Sequence, residues 1–213
     1  MKVFVLFLTC VMLLGMTLSG CRSNVPQETD GHIQPTDNST GATIMTEVTM
    51  PTMPVGGAES NSAKILQKIW DLYPEDERFA AYGGAVEHSV ADGPGDLDLS
   101  VTEELTTRYM LPEDQLAKLQ EGASLVHLMN NNIFSAAVFQ VKEDVQNLAK
   151  SWRSSIQATR WICGQPDRMI LAQPENGYLL MAFGSQDAMT AFKTKLMEAY
   201  PAANILYEEA IVA

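Results

Sequence analysis

The chain contains little cysteine and few basic residues. Its 213 residues include three cysteines, 14 lysines and arginines, and 26 aspartates and glutamates, which gives a net charge of −12. Binding to nucleic acid is driven largely by clustered lysine and arginine side chains, which release counterions from the phosphates. The acidic balance therefore argues against nucleic acid and against anionic lipid headgroups as partners.

Motifs for common cofactors and catalytic mechanisms are also missing. The sequence has no glycine-rich phosphate loop, no histidine and cysteine cluster at metal-ligand spacing, and no serine-hydrolase elbow. The loop from Asp92 to Asp98 contains three aspartates, but it lacks the glycine and the glutamate that an EF-hand calcium loop places at its sixth and twelfth positions. We therefore predict no cofactor, no metal site and a solvated turn in this loop.

The start of the chain has the composition of a targeting segment. Lys2 precedes an apolar run that is too short to span a bilayer comfortably, and small residues follow it. The sequence LSGC at 18–21 resembles the lipobox of bacterial lipoproteins, in which the cysteine receives a diacylglycerol and becomes the first residue. The resemblance implies a signal peptide over 1–20, a lipid on Cys21 and a location on the extracytoplasmic face of the cell membrane. The alternative is a plain signal peptide or an uncleaved anchor, with Cys21 present by chance.

The segment from residue 21 to residue 60 is predicted to be a disordered tether. It is rich in threonine, proline, glycine, serine and asparagine, it shows no sustained hydrophobic period, and it contains no aromatic residue. A flexible chain of about 40 residues has a root-mean-square reach of roughly 35 Å, so we expect the domain at 61–213 to stand clear of the membrane. Once Cys10 leaves with the signal peptide and Cys21 is acylated, Cys163 is the only free thiol, and no internal disulfide is possible.

The hydrophobic pattern of residues 61–213 predicts one α+β domain. A helix begins after Ser60 or Ser62 and ends before Pro74, and two short helices are broken at Pro112. From Ala123 onward, the order strand, strand, helix occurs twice and is followed by a last strand, which favours an antiparallel sheet carrying helices. The strands are expected at 123–129, 133–141, 167–173, 177–184 and 204–212, with helices at 143–161 and 185–200.

Two of these strands are apolar on both sides, so both faces of the sheet need cover. The two C-terminal helices are expected on one face. The N-terminal helix, which contains Trp70, is expected on the other, and a face left open would be a binding surface.

Two neighbouring residues are the weak candidates for a ligand site. Cys163 could act as a nucleophile, but it would need a histidine base, and His88 and His127 are the only histidines of the predicted domain. The alternative is that Cys163 is a small buried hydrophobic residue. Trp161 lies beside it at a helix end and could stack on a ligand, whereas Trp70 and Trp152 fall on apolar helix faces and are assigned to the core.

Two stretches of the domain resemble a known family. The sequences AAVFQVKEDVQNLAKSWRSSIQATRW and PENGYLLMAFGSQDA resemble a domain of unknown function that recurs in lipoproteins of clostridia and related Firmicutes. The resemblance implies an anchored extracytoplasmic protein and supplies no catalytic residue. We expect a non-enzymatic binding or accessory module, held in the membrane by a diacylglycerol on Cys21, whose partner is an envelope protein or a cell-wall ligand. The alternative is a small thiol-dependent enzyme that uses Cys163 with His88 or His127.

Overall fold

The computed structural model describes residues 60–212, which form an antiparallel sheet with helices on both faces. This confirms the α+β prediction. The predicted signal peptide, Cys21 and the tether lie outside the described residues.

Twelve helices and strands and three short 3₁₀ turns make up this part of the chain. The helices are α1 (Asn61–Trp70), α2 (Thr102–Arg108), α3 (Val145–Ala158) and α4 (Gln186–Ala199), and the 3₁₀ turns are Glu75–Glu77, Val86–His88 and Glu113–Lys118. The strands are β1 (Ala81–Gly83), β2 (Val90–Ala91), β3 (Gly95–Asp96), β4 (Leu119–His127), β5 (Phe134–Val141), β6 (Arg168–Gln173), β7 (Tyr178–Gly184) and β8 (Asn204–Ala210). The strand order is β2-β1-β4-β5-β7-β6-β8, and β3 lies beside β4.

Helix α1 begins where the sequence predicts. The side chain of Ser60 accepts a hydrogen bond from the Ala63 amide, which satisfies one of the free N–H groups of the first turn. The same hydroxyl donates to the Asp96 carboxylate at 2.5 Å, and the Ser62 amide donates to the Glu121 carboxylate at 2.9 Å. The first residues of the described chain are therefore fixed to β3 and β4.

The central strands β5 and β7 are buried on both sides, as their sequences indicate. In β5, Phe134, Ala136 and Val138 belong to one hydrophobic cluster. Ala137, Phe139 and Val141 belong to the cluster on the opposite face. This alternation follows from the two-residue repeat of a strand, and it requires helices on both faces.

The predicted assignment of helices to faces is wrong. Helices α1 and α4 pack together on one face, and α2 and α3 cover the other. The connections β5-α3-β6 and β7-α4-β8 each join parallel strands across one intervening strand, and both move the chain in the same direction across the sheet. Because β5 and β7 run in opposite directions, two crossovers of the same hand must place their helices on opposite faces. The strong preference for one hand of crossover accounts for the observed arrangement.

Strand β8 forms one edge of the sheet and is held by ion pairs on both faces. On one face, Glu208 pairs with Lys193 at 2.6 Å and with Arg168 at 3.7 Å. On the other face, Arg153 binds both carboxylate oxygens of Glu209, at 2.5 and 2.8 Å. The hydrogen bond and ion pair from Arg153 hold the pKa of the Glu209 carboxyl below its usual value.

Candidate functional site

A cleft of about 380 Å³ lies between α2 and the 3₁₀ turn at Val86–His88. This volume is in the range of small-molecule sites. We call it the α2 cleft, and its walls combine acidic, basic and aliphatic side chains. They are Ala85, Val86, Glu87, His88, Asp98, Val101, Glu103, Glu104, Thr107 and Arg108.

The turn that forms one wall of the cleft is fixed by a close approach of β1 to β3. A Cβ atom on Gly83 would lie 2.2 Å from the Ser124 carbonyl oxygen and 2.4 Å from the Gly95 nitrogen, so only glycine fits there. The amide of Gly84 donates to the Ser124 hydroxyl at 3.0 Å. The amide of Ala85 donates to the Asp96 carbonyl at 2.9 Å. These contacts hold the 3₁₀ turn at a defined distance from α2.

Arg108 links the cleft to the neighbouring β1 strand. Its Nη1 donates to the Tyr82 hydroxyl at 3.1 Å and lies 3.4 Å from Oε1 of Glu104. Its guanidinium also sits 5.7 Å from the centre of the Tyr82 ring. The Tyr82 hydroxyl in turn contacts the Asn131 side-chain oxygen at 3.3 Å. Arg108 is therefore already partnered within the protein and is poorly placed to bind an anion.

The balance of charge in the α2 cleft is negative. Four carboxylates line it, from Glu87, Asp98, Glu103 and Glu104, and Arg108 is the only lysine or arginine among the lining residues. The hydroxyl and amide of Ser100 donate to the Asp98 carboxylate at 2.6 and 2.8 Å, which lowers the pKa of that carboxyl. The cleft therefore presents a negative potential to a ligand.

The aspartates of the loop at 92–98 do not converge. Asp96 accepts the Ser60 hydroxyl and Asp98 accepts Ser100, while Asp92 adopts a left-handed backbone with φ of 55°. Within residues 60–212, no three histidine, cysteine, aspartate or glutamate side chains are placed to hold a metal ion.

Cys163 lies at the exposed corner of a tight turn after α3. It is solvent-exposed, so the alternative of a buried small hydrophobic residue is wrong. Its φ of 63° is in the left-handed region. The Asn132 side-chain amide donates to the carbonyls of Ile162 and Gly164 at 2.8 and 2.6 Å, and that of Asn130 donates to the Cys163 carbonyl at 3.4 Å. The turn is thus bound to the β4–β5 connection.

The other sequence-based candidates lie in different surroundings. Trp161 is half-buried and packs against Phe183 with ring centres 5.0 Å apart. His88 is exposed in the wall of the α2 cleft. His127 ends β4, and its Nδ1 accepts the amides of Met129 and Asn130 at 3.2 and 3.4 Å.

The structure does not join the thiol to either imidazole. Across residues 60–212, no hydrogen bond connects Cys163 with His88 or His127. In His127, Nδ1 accepts two backbone amides, so in the neutral ring Nε2 carries the hydrogen and neither nitrogen is free to accept a thiol proton. The geometry therefore offers no support for a thiol–histidine pair.

The end of the sheet that contains Cys163 also exposes large apolar side chains. Met129 is 81% exposed, Ile162 78%, Leu128 51% and Ile133 39%. We call these four residues the apolar tip. The asparagine-rich sequence between Met129 and Ile133 indicates the turn, but only the three-dimensional structure shows that Ile162 joins the same surface.

Sequence reasoning named His88 and Asp98 separately, but it did not place them in one site and it missed the other residues of the α2 cleft. Glu104 and Arg108 have the i, i+4 spacing of a helical ion pair, which by itself indicates only a solvated helix surface. Val86 and His88 lie in a region without hydrophobic periodicity, where the sequence predicts no element. The cleft depends on the pairing of β1 and β3 with β4, which strands of two or three residues do not signal in the sequence.

Comparison with known proteins gives no relative: no protein-family model, no curated protein and no solved structure matches the chain. In the described part of the chain, every helix is too short or too polar to cross a lipid bilayer.

Proposed function

We propose that the protein is a lipid-anchored, extracytoplasmic binding module that takes an amine-bearing ligand in the α2 cleft. The anchor is a diacylglycerol on Cys21, which the lipobox-like sequence at 18–21 supports. Two acyl chains give stable attachment, whereas one chain gives only marginal binding. The module is non-enzymatic, and its ligand is a small component of the envelope or cell wall.

One observation carries the choice of the cleft. The Glu104 side chain is 9% exposed, and its Oε1 accepts no hydrogen bond from any residue in 60–212, although it forms an ion pair with Arg108 Nη1 at 3.4 Å. Its Oε2 has only a long contact with the Val86 amide, at 3.5 Å. A buried carboxylate oxygen without a hydrogen bond is costly, so it favours a ligand that brings a donor.

The walls of the cleft favour an organic ammonium group over other donors. An ammonium supplies several N–H donors and a positive charge, which complements the four lining carboxylates. Val86 and Val101 add exposed aliphatic surface, which suits the carbon part of such a ligand. We therefore assign the cleft to amino sugars, lysine-containing peptides or polyamines, which share this chemistry.

Acylation of Cys21 is tested separately from ligand binding. Cells that express the chain are grown with an alkyne-tagged fatty acid, and the protein is then examined for incorporated tag and for its mature mass. We expect labelling in the unmodified chain and none in Cys21→Ala, with Cys163→Ala as the matched control that keeps the label. Recovery of an unacylated protein from the soluble cytoplasm would contradict the anchor.

The ligand class is tested by thermal unfolding of the mature chain with glucosamine, spermidine or the dipeptide Lys-Ala. A ligand at a hundred times its dissociation constant adds about 2.7 kcal/mol to the free energy of unfolding. We expect stabilisation by at least one amine and none by N-acetylglucosamine, in which acetylation removes the charge. Glu104→Gln should weaken binding by about tenfold to a hundredfold, since a charge-assisted hydrogen bond contributes about 1.5–3 kcal/mol.

Glu198→Gln is the matched control for that substitution, because Glu198 is exposed on α4. It removes the same charge from the whole protein and should leave binding unchanged. Equal weakening in both variants would mean that only the overall charge attracts the amine. Equal stabilisation by glucosamine and N-acetylglucosamine would also rule out the proposed ligand class.

A further inference from the structure

The exposed apolar side chains of residues 60–212 are concentrated at one end of the sheet. Seven large hydrophobic side chains are exposed in this part of the chain, and four of them form the apolar tip. Val86 joins them through a shallow cavity that it shares with Leu128. Val212 follows Ile211, whose amide donates to the carbonyl of Asp167 at the same end of the sheet. Such a concentration of apolar surface marks an interaction site.

The two loops of the apolar tip contain no charge and are joined by hydrogen bonds. Residues 128–133 and 161–166 include no aspartate, glutamate, lysine or arginine. The hydrogen bonds from Asn130 and Asn132 to the turn at 162–164 join the two loops. The tip thus presents an uncharged group of exposed aliphatic side chains on an otherwise acidic protein.

The chain enters the sheet at the opposite end. Ser62 binds Glu121 near the start of β4, while the apolar tip begins just after His127, the last residue of that strand. At about 3.4 Å per residue, the six steps from Glu121 to His127 span roughly 20 Å. A chain anchored at Cys21 must cover at least this distance for the tip to reach the membrane.

The segment before Ser60 is long enough to cover that distance. Residues 22–59 separate Cys21 from Ser60, which is 38 residues. A flexible chain of that length has a root-mean-square end-to-end distance of roughly 35 Å. A linker that can span the distance raises the effective concentration of the tip at the bilayer, so even a weak affinity of the tip for lipid would suffice.

We infer that the apolar tip inserts into the headgroup region of the bilayer that holds the anchor. The end of the domain opposite to its tether then lies against the membrane. This replaces the expectation, based on the reach of the tether alone, that the domain stands clear of the membrane. This inference rests on the anchor of the proposed function. Contact is made by the four aliphatic side chains of the tip and needs no anionic lipid. The exposed thiol of Cys163 lies at the same surface.

The test supplies the anchor chemically, so its result does not depend on acylation in the cell. The mature chain is prepared with Cys163→Ser, so that Cys21 is its only thiol. This thiol is coupled to a maleimide lipid in phosphatidylcholine vesicles. Amide hydrogen exchange is compared between the anchored chain and the same chain free in solution. We expect at least tenfold slower exchange in 128–133 and 161–165 on anchoring, and no change in the turn at 174–177.

The variant that removes the contact is Met129→Asp together with Ile162→Asp, which should abolish the protection. Its matched control is Gln120→Glu with Asn176→Asp, which adds the same charge at exposed positions near the other end of the sheet and should keep the protection. Unchanged exchange of the tip on anchoring would overturn the inference. So would protection that increases with the density of anchored chains, because that result would indicate a second copy, not lipid, as the partner.

Discussion

Trp152→Ala is expected to lower the free energy of unfolding by about 3–5 kcal/mol, a large share of the 5–15 kcal/mol typical of a domain. Trp152 is fully buried under the sheet, edge-on to Phe139 with ring centres 5.5 Å apart. Its indole N–H donates to the Tyr109 carbonyl at 2.6 Å. Truncation therefore leaves a cavity and removes a buried hydrogen bond at once. Urea unfolding followed by circular dichroism measures the change.

The matched control is Trp161→Ala, because Trp161 is half-buried and its indole nitrogen has no hydrogen-bond partner in residues 60–212. It should destabilise clearly less than Trp152→Ala. A third variant, Trp152→Phe, keeps most of the volume and isolates the lost hydrogen bond. Similar losses in the two alanine variants would contradict the assignment of Trp152 as the central side chain between α3 and the sheet.

Gly83→Ala is expected to cost about 3 kcal/mol or more and to abolish ligand binding in the α2 cleft. The added Cβ would lie 2.2–2.6 Å from the Ser124 carbonyl oxygen, the Gly95 nitrogen and the Pro94 Cα. All three are backbone atoms, so no side chain can rotate away. Strand β1 must separate from β3, and the turn that forms one wall of the cleft moves with it. Urea unfolding measures the stability of the variant. Thermal unfolding in the presence of the amines measures ligand binding in the α2 cleft.

Gly93→Ala is the control for this substitution. A Cβ on Gly93 meets nothing closer than the Gln67 side-chain oxygen at 3.7 Å, so the variant should fold and bind normally. A Gly83→Ala protein with unchanged stability would show that β1 and β3 do not need their close approach. If Gly83→Ala is stable but fails to bind amines, the glycine is needed for the shape of the cleft and not for the stability of the domain.

The sequence predicted the second half of the fold well because its signals are local and strong. The strands from β5 onward contain long apolar runs, and Pro174 to Gly177 and Pro201 mark chain reversals that need no tertiary information. Ser60 and Ser185 were identifiable as helix caps for the same reason. The faces of α3 and α4 were not predictable from amphipathic pattern, because a helix stripe shows that a face is buried but not which side of a sheet buries it.

The first half of the domain was less predictable, and the α2 cleft lies there. Strands β1, β2 and β3 contain two or three residues each, too few to show an alternating pattern. Strands β1 and β3 are fixed by pairing with β4 over long sequence separations, as Tyr82 does with Val126, and β2 pairs with β1. The sequence contains Glu104 and Arg108, but their burial depends on this pairing. The candidate at Cys163 was identified from residue type, and the structure shows an exposed turn.

The ion pairs on β8 affect whether copies of the protein associate through their edge strands. An unpaired edge strand is a template for addition of another strand, and this hazard increases when molecules are crowded on a surface. In residues 60–212, β8 pairs only with β6, and its register shifts between Leu171 and Ala172. Glu208 and Glu209 each place an ion-paired carboxylate on one face of the sheet at that edge. Charged side chains on an edge strand disfavour the addition of a second strand, so the ion-paired Glu208 and Glu209 protect this edge from sheet-to-sheet aggregation.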